Sequence, residues 1–309
     1  MMKSVVFSCN DVAVKINSDD EDIIKYLIEM FGNYYEMNNS EKATITINFR
    51  IGLSNEFQFK DKERGDTSYN YISGSKNEIN INLPYYDESK QSFIKRIFTT
   101  SFIKAFQQTD YMILHGACAF KDNDGIIITG KAGSGKTTLL QKLLNEGYDY
   151  VANDRLALKE EENGIVVCGI PFSMGIRNVD IQKEFTDYSS YYIKEIDKKF
   201  IENKDVPKYF DVEMKSKIPL STIIFCDYDT NIDGLRVNKI DDVNETIYPN
   251  IMFDDAIPDT KYYLHLILGS YKNKCNLSGV NSIGVLQGIN SERETINQIE
   301  KTRIRKRGN

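Results

Sequence analysis

Lys136 and Thr137 close the stretch Gly130-Lys131-Ala132-Gly133-Ser134-Gly135-Lys136-Thr137, which matches G-x-x-x-x-G-K-[ST] in full. The chemistry open to such a stretch is the grip of a polyphosphate. Glycines let the backbone curl until successive N–H groups converge on phosphate oxygens, and the start of a following helix adds partial positive charge. On that pattern Gly130, Ala132, Gly133, Ser134 and Gly135 line a cradle for a nucleotide. Lys136 reaches the β- and γ-phosphates, the Thr137 hydroxyl is a ligand of Mg²⁺, and Thr138 adds a hydroxyl near the α-phosphate.

Chemistry at the γ-phosphate also needs an acid opposite it, and two candidates end apolar runs. Asp154 follows Tyr150-Val151-Ala152-Asn153, and Asp227 follows Ile223-Ile224-Phe225-Cys226. Either could orient Mg²⁺ through its water shell. Asp154 is favoured, because the strand after the first crossover helix commonly lies near the loop's own strand. His115 sits in MILHGACAF, just ahead of the loop strand. It is either a hydrogen-bonded core histidine or a group near the phosphates, and its position tips the reading toward the second. Arg155 either contacts phosphate or pairs with a carboxylate.

Those side chains need elements to position them. The runs MILHGACAF and GIIIT flank the turn signal Asp122-Asn123-Asp124-Gly125, a hairpin that feeds the loop. Residues 137–145 read as a helix stopped at Gly147, and 149–152 as a strand arriving at Asn153 and Asp154. A second hairpin is expected around Glu162-Asn163-Gly164, and 218–226 reads as a buried strand. Upstream, 4–17 and 43–51 read as strands with a helix over 20–30 between them. A hairpin over 69–83 and a helix over 92–107 follow. Two domains are expected: an accessory α+β domain over residues 1–110 and a P-loop nucleotide-binding domain over 111–309. Residues 180–217 are charged and Tyr-rich, and read as helical or partly mobile. In that stretch Tyr188, Tyr191 and Tyr192, beside Ser189 and Ser190, either line an acceptor groove or lie exposed on a connector.

Composition bounds the function classes. The chain has 309 residues, 41 % of them hydrophobic, enough for a sizeable core without staples. Lys and Arg number 39 against 45 Asp and Glu, a net charge of −6, which argues against nucleic acid or an anionic membrane as partner. The basic tail (Lys301, Arg303, Arg305, Lys306 and Arg307) reads as a solvated terminus. Cys9, Cys118, Cys168, Cys226 and Cys275 are scattered without CxxC spacing and read as free thiols in a reducing compartment. With no apolar run of signal-peptide or spanning length, the expected location is cytoplasmic.

In order and spacing, LHG at 114–116, GKAGSGKT at 130–137 and VANDR at 151–155 resemble HPr kinase/phosphorylase and its relatives, which share a P-loop core with phosphoenolpyruvate carboxykinases. The resemblance covers roughly residues 110–180. It implies an α/β fold with that core, preceded here by the accessory domain, and a kinase that uses ATP and Mg²⁺. It also implies that His115 is the family's His-Gly residue and that Lys136 and Thr137 are its loop pair. Asn153 and Asp154 then stand where the family carries two aspartates, the first of which takes the acceptor's proton. An amide cannot do so. Three outcomes follow: Asp154 serves as base as well as metal partner, His115 takes the proton, or a loose transition state needs little deprotonation. The first is the most economical. The family's late Gly- and Arg-rich loop has no counterpart beyond Arg177, which argues against the phosphorylase half-reaction and against HPr as acceptor. Stand-alone relatives resemble tailoring kinases that phosphorylate a hydroxyl of a ribosomal peptide, and relatives include oligomers, so a homo-oligomer is admissible.

The expected activity is therefore transfer of the γ-phosphoryl group of ATP to a Ser or Thr hydroxyl of a peptide or protein. The alternative is a nucleotide-binding switch or NTP hydrolase that acts through a protein partner. Asn238-Lys239-Ile240-Asp241 favours the alternative, since it spells the guanine-reading N-K-x-D, although no D-x-x-G companion lies between the loop and it. His265, in YYLHLIL, has no partner motif and reads as structural.

Overall fold

The structure, a computed structural model, describes residues 2–38, 43–52, 58–60, 69–176, 190–193, 198–252, 268, 272–278, 280–289 and 296–301. The readings on Arg177, Tyr188, Ser189, His265, Arg303, Arg305, Lys306 and Arg307 fall outside them, as do the side chains of Tyr191 and Tyr192. The chain divides into two compact units. One is Met1–Ile113 with Phe253–Lys274, the other Leu114–Met252 with Cys275–Asn309.

In the first unit β1 (Lys3–Cys9), β2 (Val12–Ser18), β3 (Glu36–Asn38), β4 (Ile45–Ile51), β5 (Gln58–Lys60), β6 (Tyr69–Ser75) and β7 (Glu78–Leu83) form one sheet, in the order β3-β1-β2-β4-β7-β6-β5. Residues 4–17 are not one strand but a hairpin, because Asn10 turns the chain at φ 55°, a left-handed conformation that asparagine tolerates. Asn10 and Asp11 interrupt the apolar alternation with two exposed polar residues, a turn signal that the reading of one strand passes over. Helix α1 (Glu21–Phe31) crosses from β2 to its parallel neighbour β4, and the Asp20 side chain caps it by accepting from the Asp22 N–H. Helix α2 (Gln91–Gln108) buries Phe93, Ile97, Phe98, Phe102 and Phe106, with Phe98 stacked on Phe31 at 4.3 Å.

The second unit holds β8 (Met112–Lys121), β9 (Asp124–Thr129), α3 (Lys136–Asn145), β10 (Asp149–Ala152), β11 (Arg155–Glu161), β12 (Gly164–Gly169), β13 (Met174–Ile176), β14 (Ser190–Ile193), β15 (Lys198–Ile201), α4 (Val206–Phe210), β16 (Lys217–Asp233), β17 (Leu235–Lys239), α5 (Val243–Ile247) and β18 (Asn281–Ile289). Its large sheet runs β10-β8-β11-β12-β16-β18-β17, and β9 pairs with both β8 and β16. β9 and β10 are each antiparallel to β8, while β16 is parallel to β9 and to β18. It follows that β9, β10, β16 and β18 point the same way and bring their C-terminal ends to one edge, where ligands of open α/β sheets bind. Leu139, Leu140, Leu143 and Leu144 of α3 pack on Ile126, Ile128, Tyr148 and Tyr150, and Met174, Ile176 and Ile201 of the small β13-β15-β14 sheet join that core. Among the described residues no helix is long and apolar enough to cross a membrane, and the five cysteines are free thiols.

Candidate active site

Pairing register brings the chemistry-bearing residues together. Gly116 of β8 faces Thr129, the last residue of β9, so His115 stands level with the start of the glycine-rich loop. Ala152 of β10 faces Cys118, which delivers Asn153 and Asp154 toward the same level. On the other flank Phe225 of β16 faces Thr129, and Cys226 lies alongside Gly130.

The loop is shaped by its glycines where it matters most. Gly130 has φ 143°, and a Cβ there would lie 2.1 Å from the Cys226 carbonyl oxygen, so only glycine lets the loop sit against β16. Gly135, at φ 90°, is the residue before α3, and among the described residues no side chain caps that helix. The first N–H groups of α3 are therefore left for a ligand. Lys136 Nζ donates to the carbonyl oxygens of Gly130 at 2.7 Å and Lys131 at 2.8 Å, arching across the loop. Ala132 and Gly133 form the exposed crest, Thr138 is exposed on the first helical turn, and Ser134 is buried. Among the described residues Ser134 Oγ has no hydrogen-bond partner, an orphan donor inside the loop. A glycine-shaped cradle, an uncapped helix start, an ammonium and an orphan hydroxyl together fit a bound phosphate.

Beneath the loop lies a group that sequence reasoning missed. Gln287 of β18 is buried, and its Nε2 donates to Cys226 Sγ at 2.7 Å, while Cys226 Sγ donates to the Ser134 carbonyl oxygen at 3.0 Å. The one available signal was a polar residue within the apolar run VLQGI. Burial pushes the Cys226 thiol up to about 11, against the opposing hydrogen bond from Gln287 and the charge of Lys136. It is a floor for the loop, not a nucleophile.

Beside the loop stand two linked pairs. Thr137 Oγ1 donates to Asn153 Oδ1 at 3.2 Å. His115 Nε2 lies 3.0 Å from Asp154 Oδ1, and Arg155 NH1 lies 2.8 Å from Asp154 Oδ2. Burial acts to raise the Asp154 carboxyl, but the hydrogen bond from His115 and the charges of Arg155, His115 and Lys136 outweigh it and hold the group at about 2. Asp154 is thus an anion at neutral pH and a weak base. Asp227 is placed differently: it is exposed, and its Oδ1 accepts from the next main-chain N–H, that of Tyr228, at 2.9 Å. Among the described residues no group of three or more His, Cys, Asp or Glu side chains is placed to hold a metal. A cation at Thr137 and Asp154 would share its ligands with nucleotide phosphates, the habit of Mg²⁺.

The N-K-x-D residues lie elsewhere. Asn238 and Lys239 belong to the edge strand β17, and Asn238 faces Gly284, where a Cβ would come within 2.4 Å of Asn238 Oδ1. The Asn238 amide lies over Gly284 in the sheet. Asp241 is exposed beyond the strand end, and Asp241→Asn is expected to leave the preference between ATP and GTP within about twofold, since exposed changes seldom exceed about 0.5 kcal/mol. Competition of ATP and GTP against a fluorescent nucleotide measures this, and a reversed preference would restore the guanine reading.

No family model matches the chain, and no curated protein does. Among solved structures it is similar to the Hpr(Ser) kinase/phosphatase from Coxiella burnetii, at 19 % identity over 64 % of this chain and 99 % of that one, with a TM-score of 0.34.

Proposed function

We propose that the chain is an ATP-dependent phosphotransferase that passes the γ-phosphoryl group to a serine or threonine hydroxyl of a peptide or protein. The observation that carries this reading is the 3.0 Å contact of His115 with Asp154, next to the Thr137–Asn153 pair at the mouth of a glycine-shaped phosphate loop. A loop that only held nucleotide would have no use for a carboxylate-buttressed imidazole at that place.

The roles follow from the geometry. Lys136 and the start of α3 offset charge as it spreads over the transferred group. Thr137 and Asp154 would hold Mg²⁺, which when bound supplies further charge neutralisation. Asn153 Oδ1 accepts the Thr137 hydroxyl hydrogen and so turns that oxygen's lone pairs away from itself. A carboxylate held at about 2 is poorly matched to taking a proton at neutral pH, so of the three routes open to this sequence, His115 is favoured over Asp154 as base. His115 meets Asp154 through Nε2, which leaves Nδ1 as the nitrogen for the acceptor's proton. The free thiols suit a reducing, cytoplasmic setting.

Incubation with γ-labelled ATP, Mg²⁺ and Ser- or Thr-containing peptides tests the reading. The expected product is an acid-stable phosphoester on the peptide. Acceptor-independent release of inorganic phosphate with no phosphoester would favour the hydrolase or switch instead, to which the amide at Asn153 is better suited than to proton transfer.

A further inference from the structure

Arg155 opens β11, and its guanidinium is engaged within the chain. NH1 donates to the Asp154 main-chain oxygen at 2.8 Å and lies 2.8 Å from Asp154 Oδ2, while the guanidinium carbon sits 5.7 Å from the centre of the Phe172 ring. The side chain is only 16 % exposed. Asp154 itself has φ 87°, in the left-handed region that non-glycine residues avoid unless their surroundings hold them there. One nitrogen that binds both the carbonyl and the carboxylate of the same residue locks that residue's side-chain direction to its backbone. His115 Nε2 meets the other carboxylate oxygen from the opposite side.

We propose that Arg155 is a positioning residue that clamps Asp154 in its left-handed conformation and presents its carboxylate beside the phosphate loop, without itself contacting phosphate. The clamp is a property of the ligand-free chain; its effect on the metal–nucleotide complex rests on the phosphotransferase reading above. Released from Arg155, the turn at Asp154 has no other side-chain bond to its carbonyl among those described, and the carboxylate keeps His115 alone.

The experiment has a ligand-free arm and a binding arm. Arg155→Met keeps an apolar stem against Phe172 and removes both hydrogen bonds. Amide hydrogen exchange over residues 152–156 of the ligand-free protein is expected to rise about tenfold or more, while the amides of β8 and β9 exchange as in the wild type. Arg155→Lys, which retains a charge without the planar fork, should recover part of the protection. In the binding arm, affinity for a fluorescent non-hydrolysable ATP analogue without metal should stay within about twofold, whereas the gain on adding Mg²⁺ shrinks. In an Asp154→Asn background Arg155→Met should shrink it no further, because a residue acting through another has no effect once that other is gone.

Unchanged exchange over 152–156 would overturn the clamp. So would a loss of protection spread through β8 and β9 in both variants, which would mark a fold-wide role. A metal-free affinity loss of about tenfold or more would make Arg155 a phosphate ligand. An equal further loss in the Asp154→Asn background would show that Arg155 acts on another group. Absence of phosphoester formation by the wild type would remove the phosphotransferase reading while leaving the exchange result to decide the clamp.

Discussion

Asp154→Asn should leave nucleotide affinity within about tenfold of the wild type while phosphoryl transfer falls by about two orders of magnitude or more. The substitution is nearly isosteric, and asparagine accepts a left-handed backbone at least as readily as aspartate, so the turn at φ 87° survives. The loop, Lys136 and the start of α3 are untouched, which preserves the grip on the nucleotide. What disappears is the anion. Without it the His115 ring loses the charge that its Nε2 meets, and Thr137 loses its charged companion for a cation. Single-turnover transfer from labelled ATP, measured beside an equilibrium titration with a fluorescent analogue, separates the two effects. Unchanged transfer would remove Asp154 from the mechanism.

Lys136→Ala carries the second large effect, a loss of nucleotide affinity of about a hundredfold or more, on the scale of removing a charged donor from a phosphate. The ammonium arches across the loop to Gly130 and Lys131, so it occupies the mouth that phosphate oxygens would enter and can exchange two carbonyl contacts for them. Both the phosphotransferase and the switch need that grip, so this variant tests the loop itself. Retained affinity in the same titration would mean that nucleotide binds elsewhere. Circular dichroism should show an intact fold, since Lys136 is at a helix start and partly exposed.

Much of the local structure of the candidate site was legible because its signals are local. The loop, its flanking strand and helix, and the arrival of Asn153 and Asp154 after a short strand all follow from spacing within some thirty residues, roughly the length of one βαβ unit. What spacing does not carry is pairing across the sheet. For His115 the sequence leaves core or site open, with its place ahead of the loop strand favouring the second; the Gly116–Thr129 register adds that it stands level with Gly130, and its Nε2 lies 3.0 Å from Asp154 Oδ1. Arg155 is balanced between phosphate and carboxylate, and the 2.8 Å contact with Asp154 Oδ2 is what favours the carboxylate. Gln287 left only a weak trace, a polar residue in an apolar run, because a single buried amide in a late strand matches no motif.

The fold shows the same division. Helices α1 and α2 follow from apolar positions at helical spacing, whereas residues 180–217, expected to be helical or partly mobile, supply the strands β14 and β15 as well as the short helix α4. Their polar composition hides strands that are held by pairing with each other and with β13. Strand β16 likewise outruns its apolar stretch, because Asp227 and Tyr228 go on pairing with Leu286 and Gln287 of β18.

The left-handed turn at Asp154 also narrows what drift can do at that position. Glycine and asparagine accept such a backbone cheaply and carry no charge, while glutamate carries the charge and resists the backbone. No single replacement keeps both shape and anion. On the phosphotransferase reading, a lineage that loses this aspartate would pass from catalyst to nucleotide holder in one step, with its loop and fold intact.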